Sequence, residues 1–176
     1  MTPNNLIYHL NIEYDKLKLI DEFNSATLTI YEPSVKERTY DWSSVKWEKE
    51  EMSIRGKKTS GFLKNPSEFP EVFRILKQLN DLLDTQIEVM FTVQRKNKTL
   101  PMHIDHQDFP SAVNIVIGDN IAGIKYNNHE EFFYDCALIN TQEYHGVKST
   151  PTERIIVKYS IFNKKFSESK RLLEGL

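Results

Sequence analysis

The sequence predicts a mainly β fold with N-terminal helices: a curled antiparallel sandwich or jelly roll, buttressed by those helices, in one domain over residues 1–176. Three observations lead there. A chain of 176 residues matches one domain and buries ~70% of its unfolded surface. Its 39% hydrophobic and 27% charged residues, with a net charge of -2, exclude disorder by low hydropathy or charge excess. Helical periodicity dominates before residue 85 and period two after it.

In chain order, 6–12 reads as a short strand and 14–23 as a helix carrying Leu17, Ile20 and Phe23 on one face. From 31 to 65 the periodicity fails. That stretch holds Trp42 and Trp47 and the basic residues Arg55, Lys57, Lys58 and Lys64, and it reads as a functional lid or a misread element. The tryptophans suit core or edge packing better than a substrate mouth. The basic cluster suits a solvated loop better than a nucleic-acid groove.

The clearest helix is 70–84, where Val72, Leu76, Leu79 and Leu83 repeat at helical spacing and Pro70 suits the first turn. Eight strands follow, at 86–95, 100–105, 112–117, 121–126, 131–134, 137–140, 144–148 and 154–162, with the core strands at about 86–163. Gly118-Asp119-Asn120, Asn127-Asn128 and the run from Ser149 to Thr152 supply turns between them.

Charge balance gives no overall pull toward nucleic acid, and no apolar run spans a bilayer or marks export. Cys136 is the only cysteine, which excludes an intrachain disulfide and a cysteine-based zinc cluster. A cytoplasmic setting is expected, with no membrane partner, and Cys136 is expected to be a packed core thiol.

Of five histidines, His103 carries the argument. In His103-Ile104-Asp105, at the end of a strand whose opposite face is Leu100, Met102 and Ile104, the histidine and aspartate project together. His145, in Tyr144-His145-Gly146-Val147, completes two histidines and a carboxylate. That set is the facial triad suited to Fe(II), holding three positions of an octahedral ion and leaving three for co-substrate and dioxygen.

The rival triplet, His106-Gln107-Asp108, reads as loop and holds a rigid site less readily. His9 and His129 have no partners at ligand spacing. Arg154 lies nine residues past His145, enough chain to return beside it on the next strand. A guanidinium inside a barrel needs an anion, and a dicarboxylate is its natural match.

The segments Pro101-Met102-His103-Ile104-Asp105, Ala112-Val113-Asn114-Ile115, Tyr144-His145-Gly146-Val147 and Arg154-Ile155-Ile156-Val157 together resemble the Fe(II)- and 2-oxoglutarate-dependent dioxygenases. The resemblance is closest to the prolyl-hydroxylase-like and aspartyl/asparaginyl-hydroxylase-like branches, and it covers about 86–163. It implies a cupin-like double-stranded β-helix in which Fe(II), 2-oxoglutarate and O2 serve hydroxylation of a C–H bond, with release of succinate and CO2.

The expected substrate is a protein or peptide residue of prolyl or Asp/Asn type, or a small amino-acid-like molecule. By the same likeness His103, Asp105 and His145 hold the metal and Arg154 the co-substrate. Asn114 borders the cofactor or, equally, bonds backbone at a bulge. The second group on the distal carboxylate stays open among Tyr126, Thr92, Gln94 and Lys158. The competing class is a non-oxygenase barrel binding a divalent metal and a small molecule, since zinc accepts the same side chains.

Overall fold

A computed structural model describes residues 5–30 and 57–176. Trp42, Trp47 and Arg55 lie outside the described residues. Eleven strands and three helices are described: β1 (Ile7–His9), α1 (Lys16–Ser25), β2 (Thr29–Ile30), β3 (Lys57–Thr59), α2 (Pro70–Leu83), β4 (Ile87–Gln94), β5 (Leu100–His103), β6 (Ser111–Val116), β7 (Ile124–Tyr126), β8 (Glu131–Phe132), β9 (Cys136–Asn140), β10 (His145–Val147), β11 (Arg154–Ile161) and α3 (Phe166–Leu173). Seven strands form one sheet in the order β1-β9-β6-β11-β4-β3-β2, and four form a smaller one in the order β5-β10-β7-β8. Every described pairing is antiparallel. All eight strands expected after residue 85 are present, and the architecture is the expected jelly roll with helices against it.

Alternation along β4, β6, β9 and β11 sorts side chains to the two faces of the large sheet. Val89, Phe91, Val113, Ile115, Leu138, Val157 and Tyr159 face outward and pack with Leu19, Val72, Ile75, Leu79, Leu83 and Leu173 of the helices. On the other face Val116, Ala137, Ile139 and Ile156 pack with Ile124, Tyr126 and Tyr134 from the small-sheet side. Three layers result: helices, large sheet, small sheet. No helix among the described residues is long and apolar enough to cross a membrane.

Three expectations are corrected. Leu17 is 74% exposed, while Leu19 and the carboxylate Glu22 are the buried residues of α1. Glu22 accepts hydrogen bonds from the N–H groups of Glu71 (2.6 Å) and Val72 (3.0 Å). It thereby caps the first turn of α2, whose own N-cap, Phe69, offers no side-chain acceptor. Next, part of the 31–65 stretch is a misread element, because Lys57–Thr59 pairs with β4. Finally, α3 fits no expected element; it buries Phe166, Ser169 and Leu173.

Candidate metal centre

The site sits between the two sheets. In the pairing of β5 with β10, His103 and His145 are direct partners, so both imidazoles leave the same face of the small sheet with ring centroids 4.5 Å apart. Asp105 lies one residue beyond Ile104, past the end of β5 and not within a strand as expected. Its backbone N–H donates to the Thr141 carbonyl (3.0 Å), which fixes the loop where the strand has stopped. Ligand atoms of His103, Asp105 and His145 all lie within 4.8 Å of one another.

Each imidazole is oriented by its own backbone. His103 Nδ1 is 2.7 Å from the Pro101 carbonyl oxygen, and His145 Nδ1 is 2.8 Å from that of Glu143. A carbonyl oxygen can only accept, so both Nδ1 atoms carry hydrogen and the Nε2 lone pairs are presented as ligands. His103 Nε2 stands 3.2 Å from Asp105 Oδ1, close to the ~3.0 Å separating two donors about 2.1 Å from one ion at right angles.

Charge completes the donor set. Burial, with His103 alongside, pushes the His145 imidazole down to about 3 against the pull of Asp105. Burial also opposes ionisation of Asp105, but the Lys158 ammonium and the neighbouring histidines outweigh it and hold that carboxyl well below the usual range. The neutral His145 imidazole and the ionised Asp105 carboxylate, with the His103 imidazole beside them, suit a divalent first-row metal.

The second cluster lies on the inner face of the large sheet. Arg154 is 4% exposed; its Nη2 donates to the Tyr134 hydroxyl (2.9 Å), and the guanidinium carbon lies 5.6 Å from that ring's centre. Asn114 Nδ2 donates to the same hydroxyl (3.3 Å). Arg154 Nε, Asn114 Oδ1, Thr92 Oγ1 and Gln94 Oε1 are buried without a hydrogen-bond partner among the described residues, and no carboxylate pairs with Arg154 there. Such a cluster fits an organic anion: it offers one permanent cation, and of the unmet atoms Arg154 Nε and Thr92 Oγ1 can donate to a carboxylate, whereas the two amide oxygens can only accept.

Asn114 sits in unbroken register with both β9 and β11, so no bulge accounts for it. Gln94 uses its amide nitrogen on the carbonyls of Lys98 (2.7 Å) and Lys148 (2.8 Å). The Tyr126 hydroxyl lies 2.8 Å from the Leu6 carbonyl oxygen and 3.1 Å from that of Asn140, tying the N-terminal segment to β9, while its ring rests 5.9 Å from that of His145. Lys158 ion-pairs with Asp105 Oδ2.

Sequence reasoning passed over Tyr134, although alternation of Phe132, Phe133 and Tyr134 signals it: Phe133 is 50% exposed and Tyr134 buried. His106 and Asp108 lie at the surface, 3.4 Å apart, in no three-residue ligand cluster among the described residues. His9 is exposed, and His129 stacks against Phe132.

No family model matches the chain, and no curated protein matches it by sequence. Solved structures do match by shape. A prolyl hydroxylase from Trichoplax adhaerens, in complex with a hypoxia inducible factor oxygen degradation domain peptide fragment, superposes with TM-score 0.64 at 13% identity, covering 99% of this chain and 89% of that one. A viral collagen prolyl hydroxylase from Paramecium Bursaria Chlorella virus-1, in its 2-oxoglutarate complex, gives 0.55 at 12% identity over 90% and 95% of the two chains. HygX from Streptomyces hygroscopicus, with nickel and 2-oxoglutarate bound, gives 0.51 at 10% over 86% and 81%. The chain has the fold of the Fe(II)- and 2-oxoglutarate-dependent oxygenases. Within that fold it is similar in shape to prolyl hydroxylases.

Proposed function

We propose that the protein is an Fe(II)- and 2-oxoglutarate-dependent dioxygenase that hydroxylates a C–H bond of a protein or peptide residue. The observation that carries this reading is Arg154: a buried guanidinium without a carboxylate partner among the described residues, on the same face of β11 as Lys158, which reaches Asp105 of the His–Asp–His cluster. A bare metal barrel has no need of that cation, which disfavours the non-oxygenase alternative.

In this reading Nε2 of His103, Nε2 of His145 and Oδ1 of Asp105 hold the metal. Arg154 anchors the far carboxylate of 2-oxoglutarate, with Tyr134 and Asn114 beside it. The group so bound supplies oxidation of a C–H bond to an alcohol by dioxygen, coupled to decarboxylation of 2-oxoglutarate to succinate. The protein's own part is placement. The Pro101 and Glu143 carbonyls fix the imidazole planes, and Val116, Ile139 and Ile156 keep water from the deep end. His103 and Asp105 are 21% and 14% exposed at their side chains, so approach is from their side. The likeness to a prolyl hydroxylase bound to a peptide fragment supports a peptide residue as substrate.

Two measurements test this. Anaerobic Fe(II) with 2-oxoglutarate is expected to give a weak visible charge-transfer band, and its absence at saturating ligand counts against the reading. In air, iron-dependent release of succinate from 2-oxoglutarate is expected even without substrate, and candidate peptides are expected to raise it.

A further inference from the structure

Lys158 shares the inner face of β11 with Arg154 and stands in register with Asn114 of β6 and Met90 of β4. Its ammonium crosses to Asp105 and pairs with Oδ2, both side chains being largely buried at 15% and 14% exposure. The other oxygen, Oδ1, is the one turned to His103 Nε2. The two oxygens of this carboxylate thus face different sheets: Oδ2 the Lys158 ammonium of the large sheet, Oδ1 the His103 imidazole of the small one.

We propose that Lys158 is a built-in counter-cation for Asp105, a positioning residue that turns Oδ1 toward the two imidazoles before any metal arrives and lowers the site's affinity for divalent cations. The inference rests on the metal-site reading above. The Asp105 carboxylate brings one negative charge to the cluster, and the ammonium opposes it. An arriving ion then meets a carboxylate already paired and a positive charge on the far side of the same group, and both weaken its binding. Without the ammonium, the buried carboxylate loses this ion pair in the metal-free protein, a destabilising change. A divalent ion relieves it, so the variant gains more from the metal than the native protein does.

The test uses the native chain, Lys158→Gln and Lys158→Arg, each stripped by chelator and titrated with Mn(II) without 2-oxoglutarate, free ion being read by electron paramagnetic resonance. Glutamine keeps an N–H for Oδ2 but no charge; arginine keeps the charge. Lys158→Gln is expected to bind Mn(II) about tenfold more tightly than the native chain, and Lys158→Arg within about threefold of it. Metal-free Lys158→Gln is expected to melt below the native protein, with saturating Mn(II) closing the gap.

Equal or weaker Mn(II) binding by Lys158→Gln, or a melting gap that persists at saturation, overturns the role of Lys158 and leaves the metal site standing. A native protein that binds no Mn(II) overturns the metal-site reading and this inference with it. Folding of Lys158→Gln only in the presence of Mn(II) supports the proposal, and failure to fold at every Mn(II) concentration overturns it.

Discussion

His103 and His145 face each other across one rung of the β5–β10 pairing, their ring centroids 4.5 Å apart. The rung is tight because its neighbour is glycine. A Cβ on Gly146 would stand 2.8 Å from the Leu100 carbonyl oxygen and 3.0 Å from the Met102 nitrogen, both backbone atoms of β5. Gly146→Ala must push the strands apart and the two imidazoles with them. The expected outcome is Mn(II) or Zn(II) affinity reduced at least about tenfold, with a stability loss of about 1–3 kcal/mol, read by metal titration and urea unfolding. Unaltered metal affinity would show that the rung does not set the ligand spacing.

Arg154 makes a prediction of opposite sign for stability and for binding. Its guanidinium is buried with no carboxylate beside it among the described residues, so the free protein bears the desolvation of a cation for little return. Arg154→Met is expected to raise the unfolding free energy by about 1–3 kcal/mol without ligand. It is also expected to weaken 2-oxoglutarate binding about a hundredfold or more while metal affinity stays within about threefold. Calorimetric titration and urea midpoints check the pair; equal loss of metal and 2-oxoglutarate binding would remove the anchor role.

Glu22 joins α1 to α2 through the N–H groups of Glu71 and Val72. Glu22→Ala leaves two buried donors and the end of a helix dipole without an acceptor. We expect a loss of about 2–3 kcal/mol, with Glu22→Gln intermediate because its amide oxygen can still accept. Urea denaturation read by circular dichroism measures both, and a neutral alanine variant would refute the cap.

Burial, reinforced by the Asp135 charge, pushes the Cys136 thiol from its ordinary 9.0 up to about 12. Above the ordinary value the unfolded chain has released this proton and the native chain keeps it. Stability is therefore full below about pH 9 and falls as pH rises, by about 1.4 kcal/mol per unit from this group. Cys136→Ala is expected to flatten that slope between about pH 9 and 10, the tyrosines contributing alike to both proteins. Unfolding free energies across that interval check it, and parallel curves for the two proteins would contradict it.

Much of this fold is legible from local pattern, because period-two runs bounded by turn residues mark strands and all eight such runs after residue 85 are strands, even where, as in β6 and β10, both faces are buried. The convergence of His103, Asp105 and His145 is legible in part from the His-x-Asp spacing, although Asp105 lies past the end of β5. What escaped is non-local. The buried carboxylate of Glu22 has its reason 49 residues away, at the start of α2, so an apolar-face rule put Leu17 inside instead. The Tyr126 hydroxyl is spent on a carbonyl 120 residues distant, and the Lys158 partnership spans 53. Asp105 depends on a backbone bond to Thr141, which no spacing in its own strand reveals. Helix α3 is short, and a helix of eight residues leaves little periodicity to read.

The two histidines ride on a sheet of short strands, β5 and β10, whereas Arg154 and Lys158 are set in β11, flanked on both sides by long partners. Fraying of the smaller sheet would scatter the imidazoles while the guanidinium and ammonium kept their places. An ion held at the proposed site would therefore escape by a local breathing event, reported by amide exchange in β5 and β10 and independent of how firmly the rest of the molecule resists denaturation.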